Sequence, residues 1–279
     1  MNQISNEPLR AYDIHVKPEL QELAIGVLLT KGLNSFEEIE TREGLVSFRI
    51  WTSPTLSQSA LKAWFIPLEV EVSTHESNET MVALDLSTYS PHFRLVNQPE
   101  SLDDQTSICL LDGSGFGWGE HATTQLGLEF LWTQYPGKLK GCRVLDFGAG
   151  TGILSFAAQC CGAQEIHAVE VDSASLHTLK NNVVANQRGA RFTCTEQFQN
   201  AQNTYDLILA NIYLNVLKDQ LPNLIERLSP KGRLWVSGFP DDASPLIINI
   251  ASEHDMILEQ SAQMSGWHSA TFVRCQNNS

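Results

Sequence analysis

The sequence predicts an α/β protein with a Rossmann-like parallel sheet that carries an antiparallel hairpin at its edge, preceded by a small α+β domain of the ferredoxin-like type. Helix-like and strand-like segments alternate between residues 124 and 254, which is typical of a doubly wound sheet. Then "ILEQSAQMS" and "HSATFVRC" follow with only "GW" between them, which indicates an antiparallel hairpin. Upstream, residues 12–72 have the order βαββαβ of a ferredoxin-like domain.

Residues 1–72 are predicted to form the N-terminal domain, with strands "YDIHV", "EEIETR", "LVSFRIW" and "IPLEVEVS". Its first helix, "PELQELAIGVLLTKG", has an apolar stripe and is expected to end at Gly32. The stripe consists of Leu20, Leu23, Ala24, Val27 and Leu28. The second helix, "SPTLSQSALKAWF", is expected to have Ser53 as its cap and Pro54 in its first turn.

Residues 73–113 are predicted to be a linker, because Ser, Thr, Asn and Asp become frequent around the short strand candidates "MVALDLS" and "SICLLD". Residues 114–279 are predicted to form the larger domain. Its predicted helices cover residues 124–135, 152–162, 174–187, 214–228 and 243–254. Its predicted strands before the hairpin are "RVLDFG", "EIHAVEV", "RFTCT", "YDLILANI" and "GRLWVSGF".

Composition and charge limit which binding partners, cellular location and cysteine chemistry we expect. The 279 residues carry a formal charge of −14, which disfavours binding to a nucleic-acid backbone and favours a basic protein partner, although acidity for solubility alone would give the same charge. No apolar run is long enough to cross a membrane and no targeting segment is evident, so we expect a cytoplasmic protein. The six cysteines are scattered without C-x-x-C spacing, so we expect neither zinc nor disulfides.

A glycine-rich turn is the first candidate for a ligand site. "RVLDF" runs into Gly148-x-Gly150-x-Gly152, at a strand-to-helix turn where open α/β sheets bind ligands. The dinucleotide fingerprint would place its third glycine at position 153, where this sequence has Ile153. Asp146 would repel a pyrophosphate, whereas it would tolerate the ammonium and sulfonium groups of S-adenosylmethionine. The alternative is that Asp146 only caps the following helix.

An acidic residue at the end of the next strand supports the same cofactor. Glu170 follows Asp146 by 24 positions, where an acid accepts hydrogen bonds from ribose hydroxyls. Asp172 could take this role, but we expect one of the two to cap the helix beginning "SASLHTL", and we favour Glu170 as the ribose ligand. Alternatively, Glu170 is a solvated charge at a strand end.

Asn211 is the candidate catalytic residue, because it ends the strand "LILAN" at the carboxyl edge of the sheet. Methyl transfer requires a nucleophile to be aligned with the methyl group, and an amide side chain can hold an amine in that orientation. The alternative is an amide that only stabilises a turn at the strand end.

Four segments together resemble the ribosomal protein L11 methyltransferase family, which uses S-adenosylmethionine to methylate amino groups of a basic ribosomal protein. They are "GFGWGEHATTQLGLEFL", "VLDFGAGTGILSFAAQCCGA", "IHAVEVDSASLHTLKNNVVANQ" and "DLILANIYLNVL". The resemblance implies that the first segment is a cofactor lid, in which Thr124 contacts the cofactor and Phe116 packs near it. It also implies that Gly148, Glu170 and Asn211 bind the cofactor, and that residues 1–72 recognise the substrate. For His121 we expect a structural hydrogen bond rather than a metal or a general-base role.

Several positions depart from the family pattern. Trp118 and Glu120 replace small hydroxyl residues in the lid, Tyr213 replaces a leucine after Asn211, and the linker lacks a tryptophan-rich segment. A methyltransferase for another protein lysine or a small amine is therefore one alternative. A binding module that has lost catalysis is a second. "NIY" also resembles the edge motif of base methylators, but it lacks their second proline and a basic surface stripe.

Overall fold

The computed structural model describes residues 10–30, 36–42, 44–52, 56–66, 68, 70–75, 90, 92–102, 105–111, 113–186, 190–197 and 204–275. The chain divides into two compact units, Met1–Asp85 and Leu86–Ser279. This division falls inside the predicted linker, and the roles assigned to the predicted domains stay predictions.

The first unit has the predicted order βαββαβ, which is that of the ferredoxin-like motif. Its strands form one antiparallel sheet in the order β2-β3-β1-β4. The elements are β1 (Arg10–Val16), α1 (Gln21–Thr30), β2 (Phe36–Arg42), β3 (Leu45–Thr52), α2 (Gln58–Trp64) and β4 (Glu71–His75). Alternate apolar side chains of the strands face the two helices and form the core of this unit.

Two local predictions in this unit were wrong. Leu23 is 57 % exposed, so the buried stripe of α1 comprises Ala24 and Leu28 but not Leu23. The cap of α2 is Ser57, whose hydroxyl accepts the Ala60 N–H at 3.2 Å. This helix therefore begins later in the sequence than the position of Pro54 had indicated. The predicted cap Ser53 and the predicted helix end at Gly32 lie outside the described residues.

The second unit contains a seven-stranded sheet in the order β12-β13-β11-β10-β7-β8-β9. Five strands are parallel, and β13 runs antiparallel to both β11 and β12, which confirms the predicted parallel sheet with an edge hairpin. Its elements are β5 (Arg94–Val96), β6 (Ser107–Cys109), α3 (Ala122–Gln134), β7 (Arg143–Phe147), α4 (Ile153–Cys160), β8 (Glu165–Val169), α5 (Ser173–Ala185), β9 (Arg191–Thr195), β10 (Tyr205–Asn211), α6 (Leu214–Glu226), β11 (Leu228–Pro240), α7 (Ser244–Glu253), β12 (Met256–Met264) and β13 (Trp267–Arg274).

Helices cover both faces of this sheet. One core lies between the sheet and α3, α4 and α5, and the other lies between the sheet and α6 and α7. Because β7 has β8 on one side and β10 on the other, the strand order reverses at β7, and ligands of such sheets bind at the carboxyl ends of the strands at this point.

Part of the predicted linker belongs to this unit. β5 and β6 pair in parallel, and Phe93, Leu95, Ile108 and Leu110 are buried in the core beside α4. The strand candidate "MVALDLS" lies outside the described residues, whereas "SICLLD" contains β6. No helix in the described part of the chain is long and apolar enough to span a membrane.

Candidate functional site

The glycine turn, residues 148–152, connects β7 to α4 at the switch point of the sheet. Its three glycines have φ values of 77°, 53° and 88°, a backbone region that favours glycine. A Cβ atom on Gly148 would lie 2.3 Å from Ile212 Cγ2, and one on Gly150 would lie 2.2 Å from the carbonyl oxygen of Phe116. Only glycine therefore fits both the conformation and the space.

The glycine loop, residues 115–121, lies directly on this turn. Thr151 donates its backbone N–H to the Phe116 carbonyl at 2.9 Å and its hydroxyl to the Gly117 carbonyl at 2.5 Å. Within the loop, the Trp118 indole N–H donates to the Gly115 carbonyl at 2.9 Å. The two glycine-rich segments that the sequence singled out therefore form one site.

Asp146 lies beneath the turn and is only 1 % exposed. Its carboxylate accepts a hydrogen bond from the Ser155 hydroxyl at 2.6 Å, in the first turn of α4. The N-cap residue of this helix, Gly152, has no side chain that could cap it. Burial raises the pKa of Asp146 to about 6, against the opposing effect of hydrogen bonding with Ser155. The bond to Ser155 lies at the start of α4, where the capping alternative places Asp146, and both the capping role and a cofactor contact of Asp146 stay predictions.

Glu170 follows β8 and is fixed by two backbone groups. One carboxylate oxygen accepts the Gly150 N–H at 2.9 Å, and the other accepts the Asp172 N–H at 2.9 Å. Partial burial raises the pKa of Glu170, while these backbone hydrogen bonds oppose the increase. Since a carboxylate oxygen can accept more than one hydrogen bond, both oxygens retain acceptor capacity.

Asp172 has the capping role that we expected of one of the two acids. Its carboxylate accepts the backbone N–H and the hydroxyl of Ser175, both at 2.7 Å, and it occupies the N-cap position of α5. This leaves Glu170 as the acid directed toward the glycine turn, although its contact with a ribose stays a prediction.

Asn211 ends β10 at the same edge of the sheet, opposite Ser237 of β11. Its residue is partly exposed, and no described residue forms a hydrogen bond with its side-chain amide. Tyr213, 40 % exposed, is the N-cap residue of α6 two residues later. Desolvation raises the pKa of Tyr213 to about 12, and the charge of Glu170 adds to the increase.

Thr124 lies in the first turn of α3 and is fully buried. Its hydroxyl is one of two buried side-chain groups in the described part of the chain that have no hydrogen-bond partner. A buried hydroxyl without a partner costs about 1–3 kcal/mol, so a ligand that supplies the missing hydrogen bond would recover that free energy.

His121 has the structural role that the sequence predicted. It is the N-cap of α3, where Nδ1 accepts the Thr123 N–H at 3.3 Å. Its ring packs edge-on against Phe116 and Trp267, with centroid distances of 5.1 and 4.9 Å. Burial lowers the pKa of His121 to about 4, so the ring is neutral at pH 7. Among the described residues, no group of three or more His, Cys, Asp and Glu side chains could hold a metal ion.

Two residues at this site were missed by the sequence analysis. Thr151 connects the turn to the loop, and Trp267 supports His121 from the edge hairpin. The signal for Thr151 was its position between two glycines of the turn, because a hydroxyl there can bond to whatever backbone approaches the glycines. The contact of Trp267 comes from β13, more than 140 positions away in sequence, and no local pattern indicates it.

Comparison with known proteins gives one family model over most of the chain. The family model "Ribosomal protein L11 methyltransferase (PrmA)" matches residues 90–275. The ribosomal protein L11 methyltransferase of Limosilactobacillus reuteri is 33 % identical over 169 residues, which cover 60 % of this chain and 52 % of that protein. The protein of the same name from Syntrophotalea carbinolica is 29 % identical over 227 residues, 76 % of this chain and 74 % of that protein.

A solved structure gives the same result. A ribosomal protein L11 methylase from Lactobacillus delbrueckii subsp. bulgaricus superposes with a TM-score of 0.58 at 25 % identity, covering 67 % of this chain and 96 % of that one. In the alignment with the Limosilactobacillus protein, the chain spans about half the length of its relative. Because the family model covers most of the chain, including the glycine loop, the glycine turn, Glu170 and Asn211, this chain belongs to the ribosomal protein L11 methyltransferase family.

Proposed function

We propose that this protein is an S-adenosylmethionine-dependent methyltransferase that methylates amino groups, of lysine side chains or of an N-terminus, on a ribosomal protein. The large-subunit protein L11 is the first candidate substrate, because the relatives are named for it. The observation that supports this most strongly is the Glu170 carboxylate, which is bonded to the N–H of Gly150 within the glycine turn at the switch point of the sheet.

The residues present fit S-adenosylmethionine. Glu170 offers acceptors for ribose hydroxyls, and the Thr124 hydroxyl needs a hydrogen-bond partner. When bound, this cofactor supplies an electrophilic methyl group on a cationic sulfonium. The negative charge of Glu170 and the neutral ring of His121 suit such a cation.

The side chains at the strand ends would orient the acceptor amine. Asn211 offers an amide oxygen that accepts a hydrogen bond from the amine and so directs its lone pair. A lysine amine must first lose a proton, which costs roughly 4–5 kcal/mol at pH 7 from a reference pKa near 10.4. Desolvation in a closed site lowers this cost. Tyr213, whose pKa is raised to about 12, would remain a neutral hydrogen-bond donor at the rim.

The charge of the chain suits a basic protein substrate. A formal charge of −14 attracts a basic partner and makes direct binding to nucleic acid unfavourable. In this proposal residues 1–72 recognise the substrate, residues 73–113 connect the domains, and residues 114–279 bind the cofactor and catalyse transfer. The protein would act in the cytoplasm, where its substrate is made.

Mass spectrometry of ribosomal proteins from cells with and without this chain tests the proposal. We expect one protein to gain mass in steps of a methyl group only when the active chain is present, and a strain carrying Asn211→Ala to resemble the deletion. An unchanged set of masses, together with calorimetry showing no binding of S-adenosylmethionine to the purified protein, would refute it. Binding without turnover on any amine would instead favour a non-catalytic cofactor-binding module.

A second candidate function is methylation of another protein lysine or a small amine. Tyr213 is exposed beside Asn211, and Glu120 is exposed in the glycine loop, at positions where the family pattern has smaller side chains. Incubating the protein and radiolabelled cofactor with lysate of the deletion strain separates the two functions. Label on a band other than the ribosomal protein would support the second.

A further inference from the structure

A row of buried polar side chains lies on one face of α5. Thr178, Asn182 and Asn186, the last being the C-cap residue of α5, are spaced four residues apart and therefore lie on one side of the helix, and their exposures are 4 %, 0 % and 2 %. Buried polar groups cost free energy unless they are hydrogen-bonded, so the partners of this row show what it does.

The row binds the backbone that leads into the glycine loop. Asn186 accepts the N–H of Cys109, Asn182 accepts the N–H of Leu111, both at 2.8 Å, and Thr178 accepts the N–H of Ser114 at 2.9 Å. We name residues 109–111, 113 and 114 the lead-in segment. Three side chains of one helix thus fix its path through backbone groups.

Asn182 differs from its two neighbours because it also reaches the glycine turn. Its Nδ2 donates to the Thr151 carbonyl at 2.9 Å, while its Oδ1 holds the lead-in segment. Thr151 in turn donates its N–H and its hydroxyl to the loop carbonyls of Phe116 and Gly117. Through these two residues, α5, the turn, the lead-in segment and the loop are joined by direct hydrogen bonds.

We propose that Thr151 and Asn182 are positioning residues that hold the glycine loop on the glycine turn in the geometry required for cofactor binding. The statement about cofactor binding rests on the proposed function, since Phe116 within this loop and Thr124 just after it are the expected cofactor contacts. A loop that is already fixed loses less conformational freedom when a ligand binds, so the affinity for the cofactor depends on these bonds.

A pair of substitutions at Thr151 isolates one hydroxyl. Thr151→Val keeps the shape but removes the bond to the Gly117 carbonyl, whereas Thr151→Ser keeps the hydroxyl. We expect Thr151→Val to raise the Kd for S-adenosylmethionine about tenfold in calorimetry, the ratio that corresponds to about 1.4 kcal/mol. Thr151→Ser should stay within about threefold of the unmodified protein. Equal affinities for the Val variant and the unmodified protein would overturn the proposal.

A second pair separates positioning from stability. Asn182→Ala and Asn186→Ala both remove a buried amide from the same face of α5, but only Asn182 contacts the turn. We expect both to lower the Tm, and only Asn182→Ala to weaken cofactor binding by about tenfold at a temperature well below either Tm. Equal losses of affinity in both variants would assign Asn182 a structural role only. If Asn182→Ala fails to fold, the Thr151 pair decides.

Amide hydrogen exchange tests the positioning without the cofactor. Peptides covering residues 115–121 should exchange about tenfold faster in Thr151→Val than in Thr151→Ser, and unchanged rates would overturn the proposal. If the unmodified protein binds no S-adenosylmethionine, the proposed function fails, and the same exchange measurement, extended to Asn182→Ala with Asn186→Ala as its control, alone decides whether Thr151 and Asn182 hold the loop.

Discussion

The glycine loop and the glycine turn have the same backbone pattern but are held in different ways. Alternate residues in both have positive φ, namely Gly115, Gly117 and Gly119 in the loop and Gly148, Gly150 and Gly152 in the turn. The turn is fixed by the sheet, because the N–H groups of its first two residues both donate to the Val169 carbonyl, at 2.9 and 3.0 Å. The first half of the loop accepts two hydrogen bonds from Thr151 and one from its own Trp118, and its last two carbonyls accept bonds from the start of α3.

This difference indicates that the turn determines the structure of the loop. A strand before it and a helix after it leave the turn few conformations, whereas the loop follows a lead-in segment that is held by side chains of α5 and by the backbone of β5. Damage to the turn should therefore disturb both segments, and damage within the loop should remain local.

The largest expected effect comes from adding one methyl group to the turn. Gly150→Ala places Cβ 2.2 Å from the Phe116 carbonyl oxygen and also strains a backbone with φ +53°. We expect a loss of about 3–4 kcal/mol in unfolding free energy, of which the left-handed conformation accounts for about 1–2 and the close contact for the rest. Urea unfolding measures the loss.

Gly137→Ala is the matched control for this substitution. Gly137 has a similar φ of +66°, but nothing lies within 4 Å of its Cβ position. It should lose only the conformational part, about 1–2 kcal/mol. Equal losses in the two variants would show that the contact between turn and loop does not matter.

Lowering the pH should change the stability contributed by Asp146, beneath the turn, and by His121, at the end of the loop, in opposite directions. Asp146 beneath the turn has a pKa raised from 3.8 to about 6, so the stability it contributes is present below pH 3.8 and is lost as the pH rises through 6. His121 at the end of the loop has a pKa lowered from 6.5 to about 4, so its contribution is present above pH 6.5 and is lost as the pH falls through 4. Each shift corresponds to about 3 kcal/mol.

Between pH 4 and pH 6 the two contributions should nearly cancel, and single variants should reveal each one. The unfolding free energy of Asp146→Asn, measured relative to the unmodified protein, should increase by up to about 3 kcal/mol as the pH is raised from 4 to 7. His121→Asn, which keeps a capping side chain, should show the opposite trend. Urea unfolding at pH 4, 5, 6 and 7 measures both differences in unfolding free energy. Differences that do not change with pH would contradict these pKa shifts.

The proposed ribose contact of Glu170 is tested next, with a smaller expected effect. Glu170→Gln retains one carbonyl oxygen but directs an amide nitrogen at one of the N–H groups of Gly150 and Asp172. Hydrogen bonds to charged groups contribute about 1.5–3 kcal/mol, so the Kd for S-adenosylmethionine should rise by roughly 10- to 100-fold in calorimetry.

Asp172→Asn is the control, because asparagine caps helices as well as aspartate does. It should leave the Kd within about twofold of the unmodified value. If Asp172→Asn loses as much affinity as Glu170→Gln does, Glu170 is not distinguished as the ribose ligand, and the proposed site is wrong on this point.

The sequence predicted the turn far better than the loop, because the turn is fixed by residues that are close in sequence and the loop is held by residues that are distant. Strand, glycines and helix follow each other within a few positions, so local periodicity and the glycine spacing were sufficient to place the turn and Glu170 beside it. The loop depends on Thr151 and on α5, tens of positions downstream, and local sequence cannot indicate such bonds. Ser57 was missed as a cap because Ser53 and Pro54 offered an equally good local pattern.

The smallest effect is expected from the bond that lies entirely within the loop. Trp118→Phe removes the indole N–H that donates to the Gly115 carbonyl and keeps most of the aromatic packing. Because Trp118 is partly exposed and water can replace this bond, we expect a loss of about 0.5–1 kcal/mol in unfolding free energy and at most a threefold increase in Kd. Urea unfolding and calorimetry measure the two, with Thr151→Val as the reference. If Trp118→Phe weakens cofactor binding more than Thr151→Val does, the loop is ordered by its own contacts, and the turn is not what determines its structure.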